Sequence, residues 1–270
     1  IKKPAVRFKE FTDAWEQRKL GEVVTVGNGM DYKHLGGGNI PVFGTGGYML
    51  SVDKALSYDK NAIGIGRKGT IDKPYILKAP FWTVDTLFYC IPKESYDLDF
   101  VFGIFQNINW KQKDESTGVP SLSKANINLT EVASPSLAEQ QQIGSYFKNL
   151  DHLITLHQRK CDTLQKLKKS MLQKMFPQND KSVPEFRFEG FTDAWEQRKL
   201  CDIADVTKLA GFEFTEHVVY SDEGNIVALR GLNVKNGSLV LDNVKYIDSS
   251  NFSKLSRSKL YVDDVLLTYV

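Results

Sequence analysis

The chain has 270 residues, of which 41% are hydrophobic and 25% are charged, and its formal net charge is +2. This length fits one large domain or two modest ones, and no apolar stretch approaches the roughly 20 residues that a membrane-spanning helix needs. The small net charge does not by itself indicate a nucleic-acid-binding protein, and the three isolated cysteines lack a zinc-binding spacing. These features predict a cytoplasmic protein with reduced thiols.

A long internal repeat organises the chain. Residues 4–20 return as residues 184–200 with 13 of 17 positions identical, ten of them consecutive from Phe11 to Leu20. We call these segments the first and second constant modules. After Val23 and Ile203 the two copies no longer resemble each other. The sequence therefore predicts two units, each a constant module followed by a variable body.

The first variable body is predicted to contain short strands separated by glycine-rich turns, namely Ile40–Phe43, Ala62–Ile65, Tyr75–Leu77 and Thr86–Ile91. Two of these turns superficially resemble catalytic loops. Phe43–Gly47 lacks the spacing of a methyltransferase cofactor loop, and Gly64–Thr70 carries Thr70 where a P-loop carries its lysine. We interpret both as tight turns, and the sequence predicts no catalytic, metal or cofactor site.

A long helix is predicted between the two units. Ser136-Leu-Ala-Glu139 has the form of a capping box, and no proline follows until Pro177. Apolar residues then recur at heptad spacing, which predicts a second helix packed against them. The predicted helix-partner interface consists of Phe147, Leu150, Ile154, His157, Leu164, Met171 and Met175. The alternative is an amphipathic helix that lies on the core of its own domain.

The predicted helix is also basic, mainly through Arg159, Lys160, Lys166, Lys168, Lys169 and Lys174. A solvated helix face explains this charge as well as a position near a phosphate backbone does. Both interpretations stay open.

The second variable body is predicted to resemble the first in its content of strands. The predicted strands are Asn225–Leu229, Gly231–Lys235, Ser238–Leu241 and Asp264–Val270. Asn236-Gly237 is a type I′ turn signal, which predicts a β-hairpin between the second and third of these strands.

Three sets of residues resemble the specificity (S) subunit of type I restriction–modification systems. The first is the doubled constant module. The second is Pro135–Ile143 with its continuation Leu164–Phe176. The third is Ile65–Ile71 in the first body, with Gly231–Val234 and Asp264–Thr268 in the second. Together these motifs extend over nearly the whole chain.

The resemblance implies an α+β fold, with two mixed α/β target-recognition domains joined by a long coiled-coil helix. The expected boundaries are residues 1–135 for the first domain, 136–177 for the spacer helix and 178–270 for the second domain. We expect the second domain to be incomplete, because the counterpart of the long helix is not within the sequence.

The resemblance also implies a non-catalytic subunit without a cofactor. Such a subunit reads one half of a split site in double-stranded DNA with each target-recognition domain. It holds methylation subunits, expected to be two, and through them the restriction and motor subunits. The helix that faces the seam is expected to come either from the C-terminal part that the second unit would still need or from a second copy of this chain.

Loop residues are the candidates for DNA contact, because Arg, Lys, Thr and Asn side chains can reach base edges or phosphates. The candidates are Thr45, Tyr48, Arg67, Lys68, Thr70, Lys73, Lys113, Thr117, Arg230, Asn233 and Lys235. For Arg67 the alternative is a structural arginine that holds its turn through backbone carbonyls. For the whole protein, the alternative is a structural coiled-coil adaptor without DNA readout. A DNA methyltransferase is disfavoured by the failed cofactor motifs.

Overall fold

The computed structural model shows a mixed α+β protein that divides into two units, residues 1–169 and 170–270. The structure describes residues 4–207, 218–235, 237–248, 255 and 258–268. Within these ranges no helix combines the length and the apolar character needed to cross a membrane.

The elements that begin in the first unit are, in chain order, β1 (Glu16–Lys19), α1 (Leu20–Val23), β2 (Val24–Asn28), β3 (Gly37–Gly44), β4 (Gly47–Val52), β5 (Ala62–Gly66), β6 (Tyr75–Leu77), β7 (Trp82–Thr83), β8 (Leu87–Pro92), α2 (Leu98–Asn107), α3 (Lys124–Leu129), β9 (Glu131–Ser134) and α4 (Leu137–Lys174). The predicted strands of the first body are confirmed as β3, β5, β6 and β8. The strands form two small β-sheets, ordered β2-β8-β5-β6 and β4-β3-β7, and β1 pairs separately with β9.

Strand β5 is the centre of the first unit and is buried along its whole length. Side chains of a strand alternate between the two faces of its sheet. Ile63 and Ile65 accordingly pack with residues of α2, among them Val101, whereas Ala62 packs with Leu77 on the other side. The burial of apolar surface on both faces fixes β5, and with it the turn that follows Gly66.

The beginning of α4 is bound to the first constant module. Arg7 donates hydrogen bonds to both carboxylate oxygens of Glu139, from Nε and Nη2 at 2.7 Å each. Trp15 donates from Nε1 to Oε1 of Glu139 at 3.2 Å. Glu139 is only 1% exposed, and a carboxylate this buried needs such partners because an unpaired buried charge is costly. Glu139 therefore binds the constant module instead of forming the capping box that its spacing from Ser136 predicts.

Gln140 connects α4 to two further elements of the first unit. Its Oε1 accepts a hydrogen bond from the backbone N–H of Asp97 at 3.1 Å. Its Nε2 donates to Ser134 Oγ at 3.1 Å and to the carbonyl of Pro135 at 3.0 Å. Gln140 is 2% exposed, so its amide replaces water for several buried polar groups.

Beyond its first turns α4 is exposed. Every residue from Ser145 to Lys169 is exposed, including Phe147 at 52%, Ile154 at 65% and Leu164 at 54%. The alternative interpretation, a helix lying on the core of its own domain, requires that core to cover the heptad seam. The core of the first unit does not cover it between Ser145 and Lys169. The structure confirms a helix at the predicted place, while the predicted domain limits stay a prediction.

The second unit contains four short strands in its described part. They are β10 (Ile226–Ala228), β11 (Val234–Lys235), β12 (Ser238–Leu239) and β13 (Lys245–Ile247). β11 pairs with β12 and β10 with β13, both antiparallel. The predicted hairpin is thus confirmed, although Asn236 of its turn lies outside the described residues.

Two of the predicted strands in the second unit differ from the structure. The prediction for Gly231–Lys235 is wrong in its first part, where Gly231–Asn233 form a 3₁₀ turn. There the side chain of Asn233 accepts a hydrogen bond from the N–H of Arg230, and such a local side-chain bond competes with strand pairing. The prediction for Asp264–Val270 is also wrong for residues 264–268, which form no strand. Residues 269–270 lie outside the described part of the chain.

A pair of glycine substitutions tests the packing of α4 against α2. A Cβ on Gly144 would lie 2.4 Å from Oδ1 of Asp97 and 2.8 Å from the backbone nitrogen of Phe100. We expect Gly144→Ala to lower the free energy of unfolding by about 1–3 kcal/mol, because neither group can move without breaking the N-cap of α2.

The matched control is Gly103→Ala, in the middle of α2. A Cβ there would meet nothing within 4 Å, so alanine should raise the free energy of unfolding by about 0.5–1 kcal/mol. Urea titration followed by tryptophan fluorescence measures both values. Equal stability of Gly144→Ala and the parent chain would contradict the close helix packing.

Candidate nucleic-acid interface

Three loops that carry predicted DNA-contact residues lie together in the first unit. We call them the hairpin turn (residues 44–48), the basic turn (residues 67–73) and the polar loop (residues 111–121). A hydrogen bond connects the hairpin turn with Tyr75 of β6, two residues after the basic turn, and backbone hydrogen bonds connect the basic turn with the polar loop and Leu122 after it. These connected loops carry eight residues that were selected separately from the sequence: Thr45, Tyr48, Arg67, Lys68, Thr70, Lys73, Lys113 and Thr117.

The hairpin turn joins β3 to β4 through a pair of glycines. Gly44 pairs with Gly47, and the φ of +102° at Gly47 lies in the left-handed region that favours glycine. The hydroxyl of Tyr75, the first residue of β6, donates to the carbonyl of Gly44 at 2.6 Å. Burial raises the pKa of Tyr75 to about 12, so the hydroxyl keeps its proton and remains a donor at neutral pH. Within the hairpin turn Tyr48 is 63% exposed, and Thr45 is half-buried.

The basic turn continues directly from the buried strand β5. A Cβ on Gly66 would lie 2.0 Å from the carbonyl oxygen of Thr70, so only glycine lets the chain fold back this tightly. The N–H of Arg67 donates to the carbonyl of Thr86 at 2.8 Å, which holds the turn against the segment before β8. The side chains of Arg67, Lys68, Thr70 and Lys73 are all exposed.

The guanidinium of Arg67 has two weak contacts within the first unit. Its Nη1 lies 3.5 Å from the carbonyl oxygen of Asp85, at the outer limit of a hydrogen bond. Its Cζ lies 5.9 Å from the centre of the Phe88 ring, within the range of a cation–π interaction. These contacts orient the guanidinium, whereas the backbone of Arg67 holds the turn. The turn is therefore held mainly by the main-chain hydrogen bonds of Arg67, and only weakly by its side chain, which was the alternative role considered for this residue.

The polar loop is hydrogen-bonded to the basic turn along the backbone. The N–H of Leu122 donates to the carbonyl of Arg67 at 3.0 Å, and the N–H of Gly69 donates to the carbonyl of Pro120 at 2.9 Å. An ion pair of 2.9 Å between Lys111 Nζ and Asp72 Oδ2 adds a side-chain contact between the two loops. The two loops therefore have a defined position relative to each other.

Asp114 organises the polar loop from inside. Its Oδ1 accepts hydrogen bonds from the N–H of Ser121 at 2.9 Å and from the N–H and hydroxyl of Ser116 at 2.9 and 2.8 Å. These donors, the N–H of Ser121 first, hold the pKa of Asp114 below its usual range. The carboxylate is thus ionised at neutral pH and closes the loop that carries Lys113 and Thr117. Asp114 was not among the residues predicted from the sequence, although an Asp shortly before a Ser is typical of such turns.

The three predicted DNA-contact residues of the second unit differ in their surroundings. Asn233 is fully buried, and its Nδ2 donates to the carbonyl of Val240 at 3.0 Å. Nη2 of Arg230 donates to the carbonyl of Asn243 at 2.6 Å. Both side chains therefore stabilise a turn of the second unit, while Lys235 is exposed on β11.

Acidic, histidine and cysteine side chains form no metal site in the described ranges, where no group of three or more is placed to hold an ion. The described features of the first unit are a small α+β body, a face of clustered polar and basic loops, and a long exposed helix.

Residues 12–166 match the family model of the type I restriction modification DNA specificity domain. Because this match extends over more than half of the chain, the chain belongs to that family.

Similar proteins include the specificity subunit of the type I restriction enzyme MjaVIII from Methanocaldococcus jannaschii. It is 25% identical over 160 residues, which are 58% of this chain and 37% of the relative. A solved S subunit of a type I restriction–modification system from M. genitalium is similar in fold, with a TM-score of 0.50 and 15% identity. That likeness covers 63% of this chain and 48% of the solved chain. The chain thus spans less than half of the length of each.

Proposed function

We propose that the chain is the DNA-recognition part of a type I restriction–modification complex and that its own role is binding, without catalysis. The observation that carries this proposal is the attachment of the basic turn, which follows the buried strand β5, to the polar loop by backbone hydrogen bonds and of the hairpin turn to Tyr75 of β6. Loops that are fixed by backbone hydrogen bonds present their side chains in a constant arrangement, which sequence readout requires. Family membership supports the same function.

We assign different tasks to the residues of this face. Arg67 has the planar fork of donors that recognises guanine, and its contacts with Asp85 and Phe88 orient that fork. Lys68, Lys73 and Lys113 contact phosphates, where a point charge suffices. Thr45, Tyr48, Thr70 and Thr117 supply polar contacts from the same loops. In the second unit Lys235 contacts DNA directly, while Arg230 and Asn233 shape the turn beside it.

We propose that the long helix α4 separates the two target-recognition domains and binds the partner subunits. At about 1.5 Å per residue, its 38 residues give a length of about 57 Å. Phe147, Leu150, Ile154 and Leu164 are exposed, and exposed apolar residues at heptad spacing favour a partner helix. His157 is also exposed, and Met171 and Met175 are half-buried at the far end of the seam. The helix would thus help to hold the methylation subunits, expected to be two, and through them the restriction and motor subunits. The same seam would also accept the helix of a second copy of this chain.

The alternative function, a coiled-coil adaptor without DNA readout, accounts for the exposed helix alone. It does not explain why hydrogen bonds hold the basic turn to the polar loop and the hairpin turn to Tyr75. A cytoplasmic location agrees with binding to DNA in this family.

Substitutions in the basic turn test the DNA-binding face. Arg67→Ala should cost about 1–3 kcal/mol on the specific duplex and relax specificity at one base pair, because one base contact is lost. Lys68→Ala should weaken binding to specific and scrambled duplexes alike and lower the salt slope by about one. Anisotropy titrations at several salt concentrations measure both effects.

Lys78→Ala is the matched control for these titrations. Lys78 is exposed and directly follows β6, at the end of the sheet opposite to the basic turn, since Leu77 pairs with Ala62 and Tyr75 with Gly64. Its loss should leave both the affinity and the salt slope unchanged. Unchanged affinity of the folded Arg67→Ala and Lys68→Ala variants would remove the basic turn from the DNA surface.

A charge-matched pair of triple variants tests the helix seam. Leu150→Asp, Ile154→Asp and Leu164→Asp together would bury three carboxylates against a partner helix, so co-purification with the methylation subunits should be lost. Asn149→Asp, Thr155→Asp and Thr163→Asp add the same charge outside the seam and should leave co-purification intact. Normal assembly of the first triple variant would contradict the proposed seam.

A further inference from the structure

A fourth loop of the first unit lies between the hairpin turn and the basic turn. It is the β-turn of residues 84–87, which joins β7 to β8, and we call it the Asp85 turn. The N–H of Leu87 donates to the carbonyl of Val84 at 2.9 Å and closes the turn. Asp85 and Thr86 therefore occupy its two central positions. None of the DNA contacts predicted from the sequence lies in this turn.

The Asp85 turn is bonded to the loops on both sides of it. The N–H of Val84 donates to the carbonyl of Phe43, directly before the hairpin turn, at 3.0 Å. A Cβ on Gly44 would lie 3.4 Å from Cγ2 of Val84, so the hairpin turn itself lies against this loop. On the other side the carbonyl of Thr86 accepts from the N–H of Arg67 at 2.8 Å. The Asp85 turn therefore connects the hairpin turn with the basic turn.

The backbone of the Asp85 turn is anchored in the interior of the first unit. Val84 and Leu87 are buried, and the carbonyl of Leu87 accepts a hydrogen bond from the N–H of Gly29 at 3.1 Å. Asp85 itself is exposed. The turn thus presents one acidic side chain to solvent from a fixed position, in the middle of the face that carries the predicted DNA contacts.

The carboxylate of Asp85 has no partner among the described residues, since it takes part in none of their hydrogen bonds or ion pairs. Its backbone carbonyl lies 3.5 Å from Nη1 of Arg67, and the exposed Lys68 follows Arg67. A free carboxylate beside these cations repels the phosphates of DNA. It is attracted only where a base edge presents a hydrogen-bond donor.

Cytosine is the base that fits an acceptor-only side chain best. In the major groove it presents its N4 amino group, whereas guanine and thymine present carbonyl oxygens, and the amino group of adenine lies next to the acceptor N7. Successive bases of a strand are about 3.4 Å apart. The carbonyl of Asp85 lies 3.5 Å from the guanidinium of Arg67, so Asp85 stands at the spacing of a neighbouring base pair.

We propose that Asp85 is a specificity-determining residue that accepts a hydrogen bond from the N4 amino group of a cytosine, in the base pair next to the guanine that Arg67 reads. The same carboxylate rejects guanine and thymine at this position and lowers the affinity for unrelated sequences, because it then faces acceptors and phosphates only. This inference rests on the proposed recognition of DNA by the first unit.

Asp85→Asn tests the base contact without disturbing the turn. Asparagine serves in turns as well as aspartate does, but its amide both donates and accepts, which matches N7 and N6 of adenine. The whole 270-residue chain, as parent and as variant, selects from a pool of DNA duplexes with a randomised centre, and the bound duplexes are sequenced. We expect one cytosine of the parent motif to be replaced by adenine, with the neighbouring guanine retained. Arg67→Ala should relax that guanine.

The affinity for a duplex with the scrambled parent motif is measured by anisotropy with the same preparations. Asp85→Asn should bind this duplex about two- to threefold more tightly, because one negative charge beside the phosphates is removed. A residue that only shapes the turn would change neither the motif nor this affinity.

Asp59→Asn is the matched control. Asp59 is exposed and precedes β5, whereas the basic turn follows β5. The five residues of this strand, at about 3.3 Å each, exceed the screening distance of about 10 Å at 0.1 M salt. The variant removes the same charge and should leave the motif and the affinity for the scrambled duplex unchanged.

The outcomes separate this inference from the proposed function. A parent chain that selects no motif would contradict DNA recognition by the first unit, and the inference with it. If the parent chain selects a motif and Asp85→Asn selects the same one, the inference alone is overturned. Tighter binding of Asp85→Asn to the scrambled duplex with an unchanged motif would likewise overturn it, because the carboxylate would then act on phosphates and not on a base.

Discussion

The buried carboxylate of Glu139 is the contact on which the arrangement of the first unit depends. It receives hydrogen bonds from Arg7 and Trp15, which are more than 120 residues away in sequence. Next to it, Gln140 binds the N–H that begins α2, and Gly144 lets the two helices approach closely. Because a buried charge keeps its partners, the direction in which α4 leaves the body is fixed. A spacer helix can set a distance only if its first turn is fixed in this way.

The same principle applies to the face that we propose for DNA. Most of its side chains are exposed, whereas its backbone is held in place, since Gly66, Gly69 and the carboxylate of Asp114 determine how the loops fold. A variable body can then change the side chains on the loops while the buried strand β5 keeps the loops in place.

Much of the fold could be predicted from the sequence, because it follows from local patterns. The repeat, the strands β3, β5, β6 and β8, the hairpin of the second unit and the long helix were all visible as periodicity and turn signals. Glu139 could not be assigned, since its spacing from Ser136 also fits a capping box and its real partners lie far away in sequence. The 3₁₀ turn at Gly231–Asn233 was missed because a buried side-chain hydrogen bond overrides the local preference. The loop residues of the first unit were selected one by one, and only the tertiary fold shows that hydrogen bonds connect the loops that carry them.

The central claim is that the first body reads one half of a bipartite DNA site while the constant module and helix hold it in place. The most direct test replaces residues 24–134 with the body of another S subunit and keeps Arg7, Trp15 and Glu139. Methylated sites are then mapped across the genome of cells that carry this chain with its methylation partner. The account predicts a change in one half of the site, with the other half and the spacing retained. A change in both halves, or in neither, would contradict it.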